Sequence, residues 1–150
     1  MGHVRSRRSK QGPVALAAVS HLHRIEIYGS NGDGIMEIVD LLEYSERAQL
    51  RAWFEQHAAT EKCCWIAMYR GKKKPEGVCL PYLDVVEESL CFGWIDSTLK
   101  RLPDGRLAQR LSPRQKRSHW TELNKQRCAD LEQRGLMTDL GRAALQRALL

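Results

Sequence analysis

The sequence predicts an α+β fold in one small domain: a core helix, a short strand, a second helix, a β-hairpin and two C-terminal helices. Three observations predict it. Apolar residues recur at helical spacing in separate segments, a short run rich in aromatics stands between the first two of them, and a Pro-Asp-Gly turn divides two further strand-like runs. A chain of 150 residues, 43% apolar, is long enough for one ordinary core and short for two.

Residues 1–35 lack any periodic apolar pattern and are expected to be a disordered extension, with the domain over 36–150. MGHVRSRRSK is basic and PVALAAV apolar, but Ser20, His21 and His23 interrupt the run and no Ala-x-Ala cleavage site follows, so a secretory leader is disfavoured. In the domain, Ser45 is the expected N-cap of a helix whose Leu50, Trp53, Phe54 and His57 repeat along one face. CCWIAMYR (63–70) reads as a strand and GKKKPEG as a solvated turn. Pro81 opens the second helix, Val86 and Leu90 share one side of it, and Gly93 stops it. WIDSTLKRL and RLAQRLS flank Pro103-Asp104-Gly105, in which Pro presets φ and Gly supplies the positive one, predicting a hairpin. SPRQKR follows as a basic loop. Ser118 is then expected to cap a helix with Trp120, Leu123, Asn124, Arg127, Cys128 and Leu131 on one face, Gly135 to end it, and Thr138 to cap a last one.

Composition narrows the function classes. The five cysteines form no Cys-x-x-Cys pair, so neither a zinc site nor a disulfide framework is suggested; no metal or cofactor is expected, and a reducing, cytoplasmic compartment fits. No apolar run approaches the roughly 20 residues of a membrane span. The net charge of +6 is concentrated in residues 100–134, which hold ten Lys/Arg against four acids, a region able to meet an anion.

The stretch SLCFGWIDS (89–97) places a thiol, an indole and a carboxylate within six residues. A nucleophilic cysteine needs a depressed pKa, but Cys91 falls at a helix C-terminus, where the macrodipole disfavours a thiolate, and no histidine is near in sequence. A buried structural thiol is the expectation. Asp96 can cap a turn or pair with Arg114 or Arg117, and the polar Asn124 on an apolar face can point into a pocket beside the hairpin.

WIAMYRGKKK, LDVVEESLCFGWIDS, LSPRQKRSHWTELNKQR and GLMTDLG, in this order and spacing, resemble the motif series of the YdeI/OmpD-associated family, often labelled bacteriocin-protection proteins. The resemblance covers about residues 40–145. Ser89 stands where the family usually has Ala, and Ser97 where it usually has Gly, which bears on the turn geometry after Asp96. The resemblance implies a link to envelope defence or stress, not a known chemistry, and carries Asp96, Pro113, Arg114, Ser118, Trp120 and Asn124 onto motif positions.

The expected ligand-binding set is therefore Trp94, Asp96, Arg114, Arg117, Ser118, Trp120 and Asn124. The leading reading is a non-enzymatic module that binds an anionic small molecule or peptide, the arginine fork suiting carboxylate or phosphate. The second is nucleic-acid binding by the basic hairpin and the SPRQKR loop, with Trp120 stacking. The third is a hydrolase or transferase using Cys91 or Asp96.

Overall fold

The sheet is organised around β4 (Cys64–Tyr69), a run of β-formers whose first five side chains are buried. The computed structural model describes residues 24–28 and 35–149. On one side of β4, β7 (Leu107–Pro113) runs antiparallel, placing Cys64 opposite Leu111 and Met68 opposite Leu107. On the other side two short parallel strands lie end to end: β3 (Leu41–Leu42) opposite Trp65 and Ile66, and β5 (Leu80–Pro81) opposite Met68 and Tyr69. The hairpin partner β6 (Trp94–Arg101) pairs with β7 from outside, its register shifting between Asp96 and Leu99. Strands β1 (Arg24–Tyr28) and β2 (Ile35–Val39) form a separate antiparallel pair. Of the extension expected over 1–35, residues 1–23 and 29–34 lie outside the described residues, whereas 24–28 form β1 and Ile35 opens β2.

Four helices complete the α+β fold: α1 (Arg47–His57), α2 (Tyr82–Cys91), α3 (Glu122–Gln133) and α4 (Asp139–Leu149). The alternation of β4 sorts its side chains between two cores. Ile66 and Met68 join Leu50 and Phe54 of α1, Val85 and Leu90 of α2, and Leu131 of α3, while Trp65 and Ala67 join Ile38, Cys79, Leu102 and Ala108 on the other face. At the centre of the larger core Trp94 meets Trp53 and Phe54 edge-on, at centroid distances of 5.6 and 5.2 Å.

Two capping expectations are corrected. The cap of α1 is Glu46 rather than Ser45, because Gln49 reaches back and its Oε1 accepts from the backbone N–H of both Ser45 (3.0 Å) and Glu46 (2.9 Å). The cap of α3 is Thr121, whose Oγ1 accepts from the Asn124 N–H at 3.1 Å. Ser118 is engaged three residues earlier, its Oγ accepting from the Gln115 N–H at 2.8 Å. Of the face expected for this helix, Leu123 lies towards solvent, 55% exposed, and Cys128 and Leu131 are the residues that α3 buries.

Gly93 leaves α2 at φ +74°, and a Cβ there would lie 2.8 Å from the Leu140 carbonyl oxygen. In return, a Cβ on Gly141 would run into the carbonyl oxygens of Cys91 and Leu90. The first turn of α4 therefore packs backbone against backbone on the end of α2. There Thr138 donates both its N–H and its hydroxyl to the Cys91 carbonyl.

Candidate functional site

The SLCFGWIDS stretch joins α2 to β6, and its thiol is wholly buried. Burial pushes Cys91 up to about 11, helped by the nearby Glu88 carboxylate and partly opposed by Arg51 and Arg47. No histidine is among the groups acting on it. The Trp94 indole N–H donates to the Ala58 carbonyl at 3.3 Å, anchoring the joint to the end of α1.

What the joint does position is a pocket. Trp94 and Asp96 reach it from β6, Val86, Ser89 and Leu90 from α2, and Asn124 from α3; Arg114 enters from the end of β7. The pairing of Trp94 with Pro113 explains the last placement, since the next backbone N–H, that of Arg114, then donates to the Gly93 carbonyl at 2.9 Å. The side chain is turned inward, and Arg114 as a whole is 6% exposed. Its Nε donates to the Trp94 carbonyl (3.2 Å) and its Nη1 to the His119 carbonyl (2.9 Å), and its carbon lies over the Trp120 ring. Burial lowers the Arg114 pKa from its ordinary value, against the pull of Cys128 and Asp96. An arginine so placed still stays protonated at neutral pH.

Arg114 has no ion-pair partner among the described residues, and only its Nε and Nη1 donate hydrogen bonds there. Asn124 commits its Oδ1 to Arg127 Nη1 at 3.0 Å, and Ser89 donates its hydroxyl to the Val85 carbonyl at 2.6 Å. The enclosed part of the pocket is about 10 Å³, room for roughly one water molecule, before it opens to solvent. A larger ligand can therefore place only an end group in it.

Of the seven residues expected from sequence, Trp94, Asp96, Arg114 and Asn124 come together here, and Trp120 stacks behind Arg114. Arg117 is exposed and Ser118 closes its own turn, so neither lines the pocket. Ser112 and Pro113 belong to β7, and three residues separate Ser118 from α3, so the loop does not run straight into a helix start.

Two arrangements escaped the sequence reading. On α2, Glu88 is 1% exposed and accepts from Arg47 Nε (2.5 Å) and Arg51 Nη1 (3.2 Å), while Glu87 holds Arg47 Nη1 (2.5 Å) and Arg134 Nη1 (3.1 Å). Two adjacent acids inside the apolar run LDVVEESLC were the available signal, since buried acids need cationic partners. The second is a groove holding Arg70, Lys73 and Arg101, where the lysine run reads as a solvated loop tip.

Among the described residues no group of three or more His, Cys, Asp or Glu could hold a metal, and no helix is long and apolar enough to cross a membrane. No curated protein and no solved structure matches the chain. A family model described as a domain of unknown function (DUF8412) matches residues 42–144, from β3 into α4.

Proposed function

The chain belongs to that family of unknown function, and we propose from the pocket that it is a non-enzymatic binding module for an anionic small molecule or peptide. The observation that carries the reading is Arg114: a buried guanidinium, stacked and held by two carbonyls, with no carboxylate in contact and a pocket in front of it. Buried charges are ordinarily paired, so a ligand anion is the partner this site lacks. Asp96 on the same wall adds a requirement, because an unrelieved anion would meet its negative charge. The fitting end group pairs a carboxylate with an adjacent N–H, as a peptide C-terminus does: the carboxylate accepts from Arg114 and the N–H donates to Asp96.

Asp96, Arg114 and Asn124, three of the six residues that the YdeI/OmpD-associated resemblance carries, line the pocket and Trp120 stacks on Arg114, which supports extending the proposal to that type of module and its envelope-stress or bacteriocin-protection setting. A cytoplasmic site of action is part of the proposal and is supported by five free cysteines. The nucleophile reading of Cys91 is opposed by its burial and raised pKa.

Calorimetric titration with acetate, glycine and N-acetylglycine tests the reading. N-acetylglycine is expected to bind more tightly than acetate, Asp96→Asn to erase that preference, and Arg114→Lys to weaken binding about tenfold or more by removing the planar fork. Equal binding of acetate and N-acetylglycine, or no binding of either, overturns it.

A further inference from the structure

A second concavity lies at the far end of the sheet, where the loop after β4 faces the tip of the β6–β7 hairpin. Its volume is about 580 Å³, within the range of small-molecule sites, against about 10 Å³ enclosed by the Arg114 pocket. Three cations line it, Arg70 and Lys73 from the loop side and Arg101 from the hairpin, and no acid does. Five other arginines are answered by carboxylates: Arg47, Arg51, Arg106, Arg134 and Arg142 each hold at least one. Arg70, Lys73 and Arg101 have no such partner among the described residues. Unneutralised positive charge on the walls of a concave surface focuses the field and concentrates anions there.

The rest of the lining gives the ligand a second property. Tyr69, Leu99 and Leu107 offer apolar surface beside the cations, and Leu99 is 38% exposed. Arg70 is also oriented: its guanidinium carbon sits 4.1 Å from the centre of the Tyr82 ring, which fixes the plane while leaving the edge N–H groups available. Two arginine forks and a lysine suit the spread charge and multiple acceptors of a phosphate better than a single carboxylate.

We propose that this groove is a second binding site, for a phosphorylated small molecule with a planar or apolar body of about nucleotide size. The phosphate accepts from Arg70, Lys73 and Arg101, and the body lies against Tyr69 and Leu99. This site is independent of the Arg114 pocket and does not rest on the reading given for it. A bound nucleic-acid strand is disfavoured because strand surfaces use successive stacking aromatics, whereas Tyr69 alone of the aromatic residues lines the groove.

The test is calorimetric titration of the full chain with ADP, inorganic phosphate and a short oligothymidylate, at low and physiological salt. Because all three cations are exposed, Arg101→Gln and Lys73→Gln are expected to fold normally, which their thermal midpoints check. The expected result is ADP binding tighter than phosphate, weakened about tenfold by either substitution, with N-acetylglycine binding unaffected by both. Phosphate binding as well as ADP overturns the requirement for a body. Oligothymidylate binding more tightly than ADP, with a steep salt dependence, assigns the groove to a strand and overturns the proposal. Absence of ADP binding does so outright.

Discussion

The guanidinium carbon of Arg114 lies 3.9 Å from the centre of the Trp120 ring, which is half-buried against the main core. The stack does structural work besides shaping the pocket, because a buried cation off its ring would lose a favourable contact worth about 0.5–2 kcal/mol. Trp120→Leu is expected to destabilise the fold by about 1–2 kcal/mol on that basis. Arg114→Lys, which cannot reach both the Trp94 and His119 carbonyls with one ammonium, is expected to cost about 1–3 kcal/mol. Urea denaturation of the two variants checks both; an unchanged midpoint for Trp120→Leu would show that the stack supports nothing.

Alkaline pH should weaken the protein. Burial raises Cys91 from 9.0 to about 11 and Tyr44 from 10.0 to about 12, so each group holds its proton more tightly folded than unfolded. The stability tied to them is complete below about pH 9 and falls as the pH climbs towards 12. The Tyr44 hydroxyl is also buried without a hydrogen-bond partner. Tyr44→Phe is therefore expected to be neutral or stabilising by up to about 1 kcal/mol, and to flatten the decline above pH 10. Denaturant midpoints measured from neutral to alkaline pH decide it, and a steeper decline in the variant would contradict the assignment.

Ala in place of a helical glycine usually stabilises by up to about 1 kcal/mol. Gly141→Ala should do the reverse. Its new methyl would collide with backbone, the Cys91 and Leu90 carbonyls, which cannot swing aside as a side chain can. A loss of about 2–4 kcal/mol is expected as α4 is pushed from α2. A raised thermal midpoint would mean that the two helix ends are further apart than described.

Glu88→Gln removes the buried negative charge to which both Arg47 and Arg51 donate, leaving their two cations less than fully balanced. The expected cost is about 3–5 kcal/mol. Glu132→Gln, at the exposed pair with Arg142, serves as the contrast and should change little. Comparable losses in the two variants would remove the distinction between them.

Alkylation separates the thiols. Cys63 is exposed and Cys91 is buried with a raised pKa, so iodoacetamide at neutral pH should modify Cys63 first and Cys91 only after denaturation. Peptide mass spectrometry reads the order, and prompt native labelling of Cys91 would restore the nucleophile reading.

The helices, β4 and the hairpin were legible because each carries a local pattern: the spacing of Leu50, Trp53 and Phe54, the run around Ile66, the Pro103-Asp104-Gly105 turn. Strands β3 and β5 were not, since two residues carry no period and are strands only through their pairing with β4. The same limit governs the pocket. Asp96, Arg114 and Asn124 are unusual in their local settings and could be singled out, but their convergence depends on the β6–β7 register. Arg117 and Ser118 share the basic loop with Arg114, yet local turn closure at Gln115 directs them elsewhere.

Among the described residues β6 has a neighbour on one side only, so its outer backbone is a template on which another chain could grow a sheet. The register shift between Asp96 and Leu99 interrupts that template, and Lys100 and Arg101 place positive charge along its remainder. The irregularity that accompanies the Asp96 wall of the pocket thus also discourages edge-to-edge self-association. Straightening β6 while neutralising those two cations would be the shortest route from this fold to an aggregating one.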